Sequence, residues 1–217
     1  MKILIAVMTC ARDRWRIPAH REMLCGHGAD VRFFLGCGNE NPEPDEMLVD
    51  TEDDWEHLPF KVRFALKWAL DNSYDYIFKC DSDTWVNVKA LMESGFEGHN
   101  YVGLMGHEGE SEGLAHCPSG GVGWWLSAKA ARAFLRHWPE FSSANGGPYH
   151  VYEDWALAIV MHDYVDKTGD RSLIPHHDIR YWNPALEWKF GKRELKDCIT
   201  WHFWNGKADW KPEDTNG

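Results

Sequence analysis

The sequence predicts an α/β protein: one Rossmann-like domain with a mostly parallel central sheet flanked by helices. Three observations predict it. Residues 3–8 form a buried apolar run of strand length, a helix-like stretch follows, and a second run at residues 31–35 completes a strand–helix–strand beginning. A third run, residues 76–79, leads directly into Asp81-Ser82-Asp83, and the carboxyl end of a parallel strand is where open α/β sheets bind ligands. At 217 residues and 44% hydrophobic composition, the chain can bury one substantial core and is too short for two well-separated enzymatic domains.

After the first strand, residues 9–16 lead into a helix ending near the Gly26-His27-Gly28 breaker. Residues 38–44 read as a loop from their Gly, Asn and Pro content, and a short apolar element at 47–49 precedes the acidic turn Glu52-Asp53-Asp54. A helix over 59–71 places Phe64, Ala65, Trp68 and Ala69 on one face. Beyond the acids come a helix near 88–94, a strand at 101–105 and a Gly-rich passage at 119–123. Helical patterns follow at 128–137 and 154–166, with late apolar stretches around 173–174 and 199–204. The tail from 211 to 217 is polar and expected to fray.

Composition narrows the function. With 23 Lys+Arg against 34 Asp+Glu, a formal net of -11, the chain lacks the broad positive field that attracts nucleic acid or anionic lipid. Thirteen Trp serve a large core or a platform on which sugars or bases stack. Six Cys without a C-x-x-C pair or zinc-type spacing fit reduced thiols in a cytoplasmic protein. The first apolar run is too short for a signal peptide or a membrane span.

Asp81 and Asp83 stand one residue apart at a strand end, where the chain can leave the pleat and aim both carboxylates at one divalent ion. Hard oxygen ligands of this kind suit Mg²⁺ or Mn²⁺, with phosphate oxygens and water completing the shell. Surface turns also produce this spacing, so the wider context decides. The run from Val49 through Asp54, Leu58, Lys61 and Trp68 to Lys79-Cys80-Asp81-Ser82-Asp83-Thr84-Trp85-Val86-Asn87 resembles the β-1,3-galactosyltransferase and Fringe-like family of GT-A glycosyltransferases (glycosyltransferase family 31-like). That family has an acidic residue, a Leu-x-x-Lys helix, a Trp, then Lys-x-Asp-Asp-Asp-x-Phe-Val-Asn. Here Ser82 stands for the middle acid and Trp85 for the aromatic, which leaves Asp83 as first choice of ligand.

Three later segments extend the resemblance to roughly residues 48 to 204, about 70% of the chain. Cys117-Pro118-Ser119-Gly120-Gly121-Val122-Gly123 resembles the segment that borders the donor sugar, where glycine lets backbone approach a ligand; a tight turn is the plainer reading. Tyr152-Glu153-Asp154-Trp155 resembles the start of the helix that supplies the catalytic base, either Asp154 or Glu153. Both acids would equally serve as first-turn partners of the helix dipole, which would lower their pKa. Thr200-Trp201-His202-Phe203-Trp204 resembles the late segment whose histidine joins the metal, although a packed His202 is the default for a strand. His176-His177 cannot easily share one ion, because neighbours on a strand point to opposite faces.

The resemblance implies a single GT-A domain, with residues 1–106 as the nucleotide-sugar half and 107–210 as the acceptor half. It implies an inverting, metal-dependent hexosyltransferase with a UDP-sugar as the expected donor. Asp81, Asp83 and His202 would hold Mn²⁺ or Mg²⁺. Thr9, Cys10, Arg12, Arg14, Asp54, Lys61, Asp81, Ser82, Ser119, Gly120 and Gly121 would border the donor. The acceptor would be a saccharide or another hydroxyl-bearing polymer. Hydroxymethylated DNA bases of a virus are an alternative, supported by Arg180, Trp182, Trp188, Lys189 and Lys192, as is a non-catalytic sugar- or nucleotide-binding module. Absence of the family's usual anchor and stem points to a cytoplasmic bacterial or viral enzyme.

Overall fold

The structure, a computed structural model, describes residues 1–108, 115–144, 153–182 and 192–203. Tyr152, Trp188, Lys189, Trp204 and the polar tail lie outside the described residues. In chain order the strands are β1 (Ile3–Met8), β2 (Asp30–Leu35), β3 (Glu46–Leu48), β4 (Tyr76–Asp81), β5 (Thr84–Val86), β6 (Tyr101–Gly103), β7 (Met105–Glu108), β8 (Ala115–Pro118), β9 (Trp124–Ser127), β10 (His176–His177), β11 (Tyr181–Trp182) and β12 (Thr200–His202). The helices are α1 (Ile17–Leu24), α2 (Leu58–Asp71), α3 (Val88–Met92), α4 (Ala128–Ala144) and α5 (Glu153–Thr168).

Seven strands form the main sheet in the order β10-β6-β9-β4-β1-β2-β3. The β1–β2, β1–β4, β2–β3 and β6–β10 pairs are parallel, and β9 alone runs against its neighbours β4 and β6. The expected mostly parallel sheet is therefore present. Because β9 comes from the second half of the chain and lies between strands of the first, the two halves share one sheet. A small second sheet, β11-β12-β5, sits at the carboxyl end of β4, and β7 and β8 pair separately.

Alternation along β1 divides the core. Leu4, Ala6 and Met8 face a cluster built with α2, α4 and α5, while Ile3, Ile5 and Val7 face one built with α1 and α3. Along β4, Ile77 joins the first cluster and Phe78 and Cys80 the second, which turns Lys79 and Asp81 toward α5. Asn87 caps α3 by accepting from the Ala90 N–H at 3.1 Å, and its own N–H reaches the Ile199 carbonyl at 2.8 Å.

Residues 9–16 lead into a helix as expected: residues 11–16 form a 3-10 turn and α1 begins at Ile17, with Pro18 pre-set for a first turn where its missing N–H is not needed. The expected face of α2 is corrected. The buried stripe of α2 is Leu58, Lys61, Val62, Ala65, Leu66 and Ala69, with Phe64 and Trp68 only partly buried beside it. Around Leu173 there is a 3-10 turn, and the strand beyond it is His176–His177. β9 did not show as a strand in the sequence because both its faces are buried: Trp124 packs on one side of the sheet and Trp125 on the other, which erases the polar alternation.

Trp125 is 1% exposed and stacks on Phe96 with ring centroids 3.8 Å apart and planes at 6°. Trp125→Ala should lower unfolding free energy by about 3–5 kcal/mol, measured by urea denaturation, because this rigid two-ring contact cannot collapse around the cavity.

Candidate active site

The Asp81-Ser82-Asp83 turn is pinned from both sides. The Ser82 N–H donates to the Met8 carbonyl at 2.9 Å, and the Ser82 carbonyl accepts from His20 Nε2 at 2.8 Å. Burial pushes the His20 pKa down to about 4, so this imidazole is neutral and donates as a fixed tautomer. Immediately after the turn, β5 pairs antiparallel with β12 in a register that sets His202 opposite Thr84, and the Phe203 N–H donates to the Asp83 carbonyl at 3.1 Å. That register brings His202 Nε2 to 3.2 Å from Asp83 Oδ1.

Asp81, Asp83 and His202 each offer a ligand atom within 4.8 Å of the others. Two carboxylate oxygens and one imidazole nitrogen converging at a strand end fit a divalent cation of the Mn²⁺ or Mg²⁺ kind. Burial disfavours charge on both Asp83 and His202, yet their hydrogen bond and mutual attraction outweigh it, lowering the Asp83 pKa and raising that of His202. Gly121 backs the imidazole: a Cβ there would lie 2.6–2.8 Å from three His202 ring atoms, while its carbonyl accepts from the Thr84 hydroxyl.

Lys79 lies behind this triad, 1% exposed. Its ammonium pairs with Asp81 Oδ1 at 2.8 Å, donates to Glu153 Oε1 at 2.7 Å and to the Gly120 carbonyl at 3.1 Å. Burial pulls its pKa down, but the two carboxylates overcome that and hold it above the usual lysine value. Burial pushes Asp81 up to about 6 even with Lys79 opposing. A Cβ at Gly120 would overlap Glu153 Oε1, so a side chain there would have to displace the carboxylate from its place beside Lys79.

The Gly120 N–H donates to Asp154 Oδ2 at 3.0 Å, and the Trp155 N–H to Asp154 Oδ1 at 2.8 Å. The expectation that the helix dipole lowers both first-turn pKa values fails for Asp154. Burial, joined by the charge of Glu153, pushes Asp154 up to about 7 and outweighs the two backbone donors.

A cleft of about 540 Å³ opens in front of the acids, between the end of β1 and the start of α2. Of the residues expected to border a donor, Thr9, Cys10, Arg12, Asp54, Lys61, Asp81, Ser82 and Asp83 line this cleft. Arg14 does not: its guanidinium donates to the Glu40 and Asn41 carbonyls and to Glu46 Oε2, which turns it toward β3. Ser119, Gly120 and Gly121 are not part of the lining; the two glycines seat His202 and Glu153. The Cys10 thiol donates to Asp13 and burial raises its pKa, so it is no thiolate.

Both acids of the turn line the cleft, but Asp54 is exposed and accepts from the His57 N–H and Nδ1, whereas Asp53 is partly buried and meets Lys61 Nζ at 2.7 Å. Sequence reasoning missed Asp53, yet a signal existed: Lys61 falls in the apolar stripe of α2 and so required a buried acid.

Elsewhere, His176 stacks on His99 while His177 Nδ1 accepts from the Met105 N–H, so the histidine pair does diverge. Of the basic and aromatic residues named for nucleic acid, Arg180 is held by Asp178 through contacts of 2.6–3.1 Å and Trp182 is 1% exposed. Trp182 is thus closed to a ligand, whereas the Arg180 side chain remains exposed. Among the described residues no helix is long and apolar enough to cross a membrane, and Cys10, Cys25, Cys37, Cys80 and Cys198 are free thiols.

Removing the ammonium while leaving its partners is the sharpest structural perturbation of this site. Lys79→Met strands Asp81 and Glu153 in the interior and should lower stability by about 3–5 kcal/mol at neutral pH in urea denaturation.

Residues 39–105, which hold Asp53, Lys61 and the Asp81–Asp83 turn, match a family model described as galactosyltransferase. No curated protein matches the chain. Among solved structures, the chain is similar to the crystal structure of a glycosyltransferase involved in the glycosylation of the major capsid of PBCV-1, at 16% identity and a TM-score of 0.58, covering 96% of this chain and 97% of that one. The sequence match over residues 39–105 supports a galactosyltransferase-like family, and the structural match over nearly the whole chain shows a fold shared with a glycosyltransferase.

Proposed function

We propose that the chain is a metal-dependent, inverting glycosyltransferase that moves a sugar from a UDP-sugar to a hydroxyl on a glycan or other polymer. The observation that carries this reading is the convergence of Asp81, Asp83 and His202 at the end of an open cleft, with a carboxylate of raised pKa, Asp154, tied to the same network. Asp83, Asp81 and His202 would hold the cation, and the imidazole nitrogen among the donors favours Mn²⁺ over Mg²⁺. When bound, that ion would supply positive charge to the leaving diphosphate.

The two acids of α5 divide the remaining work. Glu153 is committed to Lys79 and packed under Gly120, so its task is to position. Asp154 is the general base: ionised, it takes the proton of the acceptor hydroxyl as that oxygen bonds to the anomeric carbon, and the bond from this carbon to the diphosphate oxygen breaks on the opposite face. Inversion follows from a single displacement. Arg12, 86% exposed at the cleft rim, is placed to meet phosphate, while Thr9 borders the nucleotide.

The structurally similar enzyme takes part in glycosylation of a major capsid, which supports a polymer-borne acceptor here. A modified-DNA acceptor draws no support from Trp182, which is buried within the protein.

Release of nucleoside diphosphate from a panel of UDP-, GDP- and TDP-sugars, with Mn²⁺ or with chelator, tests the reading. Wild type should release UDP with Mn²⁺, and Asp83→Ala should abolish it; donor binding without release, even with a broad acceptor mixture, would instead mark a binding module.

The pH profile tests Asp154. Since the ionised form is the base and burial holds its pKa near 7, kcat/KM should rise with pH through about 7 and then level off. Asp154→Asn should lose roughly 10²–10⁴ in kcat together with that rise. A variant that keeps the wild-type profile would remove Asp154 from the role.

A further inference from the structure

We infer that Asp53 is a positioning residue for the donor, setting the wall of the cleft against which the nucleoside diphosphate lies and acting on donor affinity rather than on transfer. The inference rests on the reading of the cleft as a donor site. Asp53 stands in the lining, with its side chain 10% exposed, and all of its accepting capacity is used inside the protein. Oδ1 accepts from the Gly36 N–H and from Lys61 Nζ, both at 2.7 Å. Oδ2 accepts from the Ala11 N–H at 2.7 Å and from Asn39 Nδ2 at 2.8 Å.

A carboxylate has about four lone-pair sites, and four donors occupy these. Asp53 therefore has none left for a ribose hydroxyl or a cation, and its influence on a ligand passes through the groups it holds. Those groups come from three segments: the end of β1, the loop after β2, and α2. Lys61 adds a second tie by donating to the Thr9 carbonyl at 2.9 Å, so residues 9 to 11 are held from both sides. The same pairing neutralises Lys61, which consequently serves as a strut beneath the cleft and not as a phosphate-binding cation.

The backbone is shaped for this contact. A Cβ at Gly36 would lie 2.8 Å from the Asp53 Cα and Cβ and from the Thr51 carbonyl oxygen, so only glycine lets the two loops approach. None of the four donors to Asp53 belongs to the Asp81, Asp83, His202 and Asp154 group. Disturbing it should move the donor wall and leave the reacting groups in place.

Two variants separate this role from others. Asp53→Asn turns an amide NH₂ toward two of the four donors, and Gly36→Ala keeps the carboxylate but displaces it. Each should raise the Kd for UDP with Mn²⁺, read by calorimetry, and the donor KM by about tenfold or more, with kcat within about threefold and acceptor KM unchanged. Wild-type donor affinity in Asp53→Asn overturns the assignment, as does a fall in kcat at unchanged donor KM. A loss of kcat in step with thermal stability, acceptor KM included, marks a scaffold residue and overturns it as well. Should Asp53→Asn fail to fold, Gly36→Ala is judged by the same outcomes. Wild type that binds no nucleoside diphosphate at all sinks the donor reading itself, whereas wild-type binding with no change in the variants sinks only the role of Asp53.

Discussion

Lys79 carries its charge into the interior, where an unpaired ammonium would cost several kcal/mol, so its surroundings must supply acceptors. They come from three places in the chain: Asp81 at the end of its own strand, the Gly120 carbonyl before β9, and Glu153 at the start of α5. Each acceptor carries a neighbour of chemical interest with it. Asp81 brings Asp83 through the turn, Gly120 presents its N–H to Asp154, and Glu153 fixes the first turn of α5 on which Asp154 stands. One buried cation thus links the metal-type acids to the carboxylate proposed as base. It also explains Gly120, where any side chain would separate Glu153 from the ammonium.

The third member of the triad is set by strand register. His202 reaches Asp83 because β12 pairs with β5 so that His202 faces Thr84. A slip of one residue would turn Trp201 to that position and His202 to the other side. Locks hold the register: the Asn87 N–H to the Ile199 carbonyl at one end, the Phe203 N–H to the Asp83 carbonyl at the other, and Gly121 closing over the imidazole. The geometry of the site therefore depends on contacts more than a hundred residues apart in sequence, which delays its completion until the sheets have formed.

What was legible in the sequence follows from range. The strand leading into Asp81-Ser82-Asp83 could be read because the apolar run and the acids are contiguous, and Asp154 and His202 because ordered motifs resemble a family. Asp53 and Asp54 could not be told apart, since adjacent acids in a turn differ only in which one meets Gly36 and Lys61. Arg14 looked as suited to phosphate as Arg12, but Glu46 of β3 and the Glu40 and Asn41 carbonyls of the loop before it claim its guanidinium. The role of Lys79 was hidden for the same reason: its partners are separated from it in sequence by as many as 74 residues. β9 escaped because burial on both faces removes the alternation by which strands are recognised.

Charge in the cleft carries the argument one step further. Asp13, Asp53, Asp54, Asp81 and Asp83 line it against Arg12 and Lys61. Lys61 is neutralised by Asp53 and Arg12 shares its charge with Asp13, so neither offers a full counter-charge to a diphosphate. Lys79 offsets Asp81 from behind but is sealed from the cleft. A polyanionic donor entering this cleft on its own would meet excess negative charge at the Asp83 end, where water is already partly excluded and repulsion is correspondingly stronger. A divalent cation on Asp81, Asp83 and His202 reverses the sign at that point and would also displace the proton that His202 shares with Asp83. The acidity that argues against a nucleic-acid partner at the level of the whole chain thus argues, inside the cleft, for a donor that binds only together with its metal.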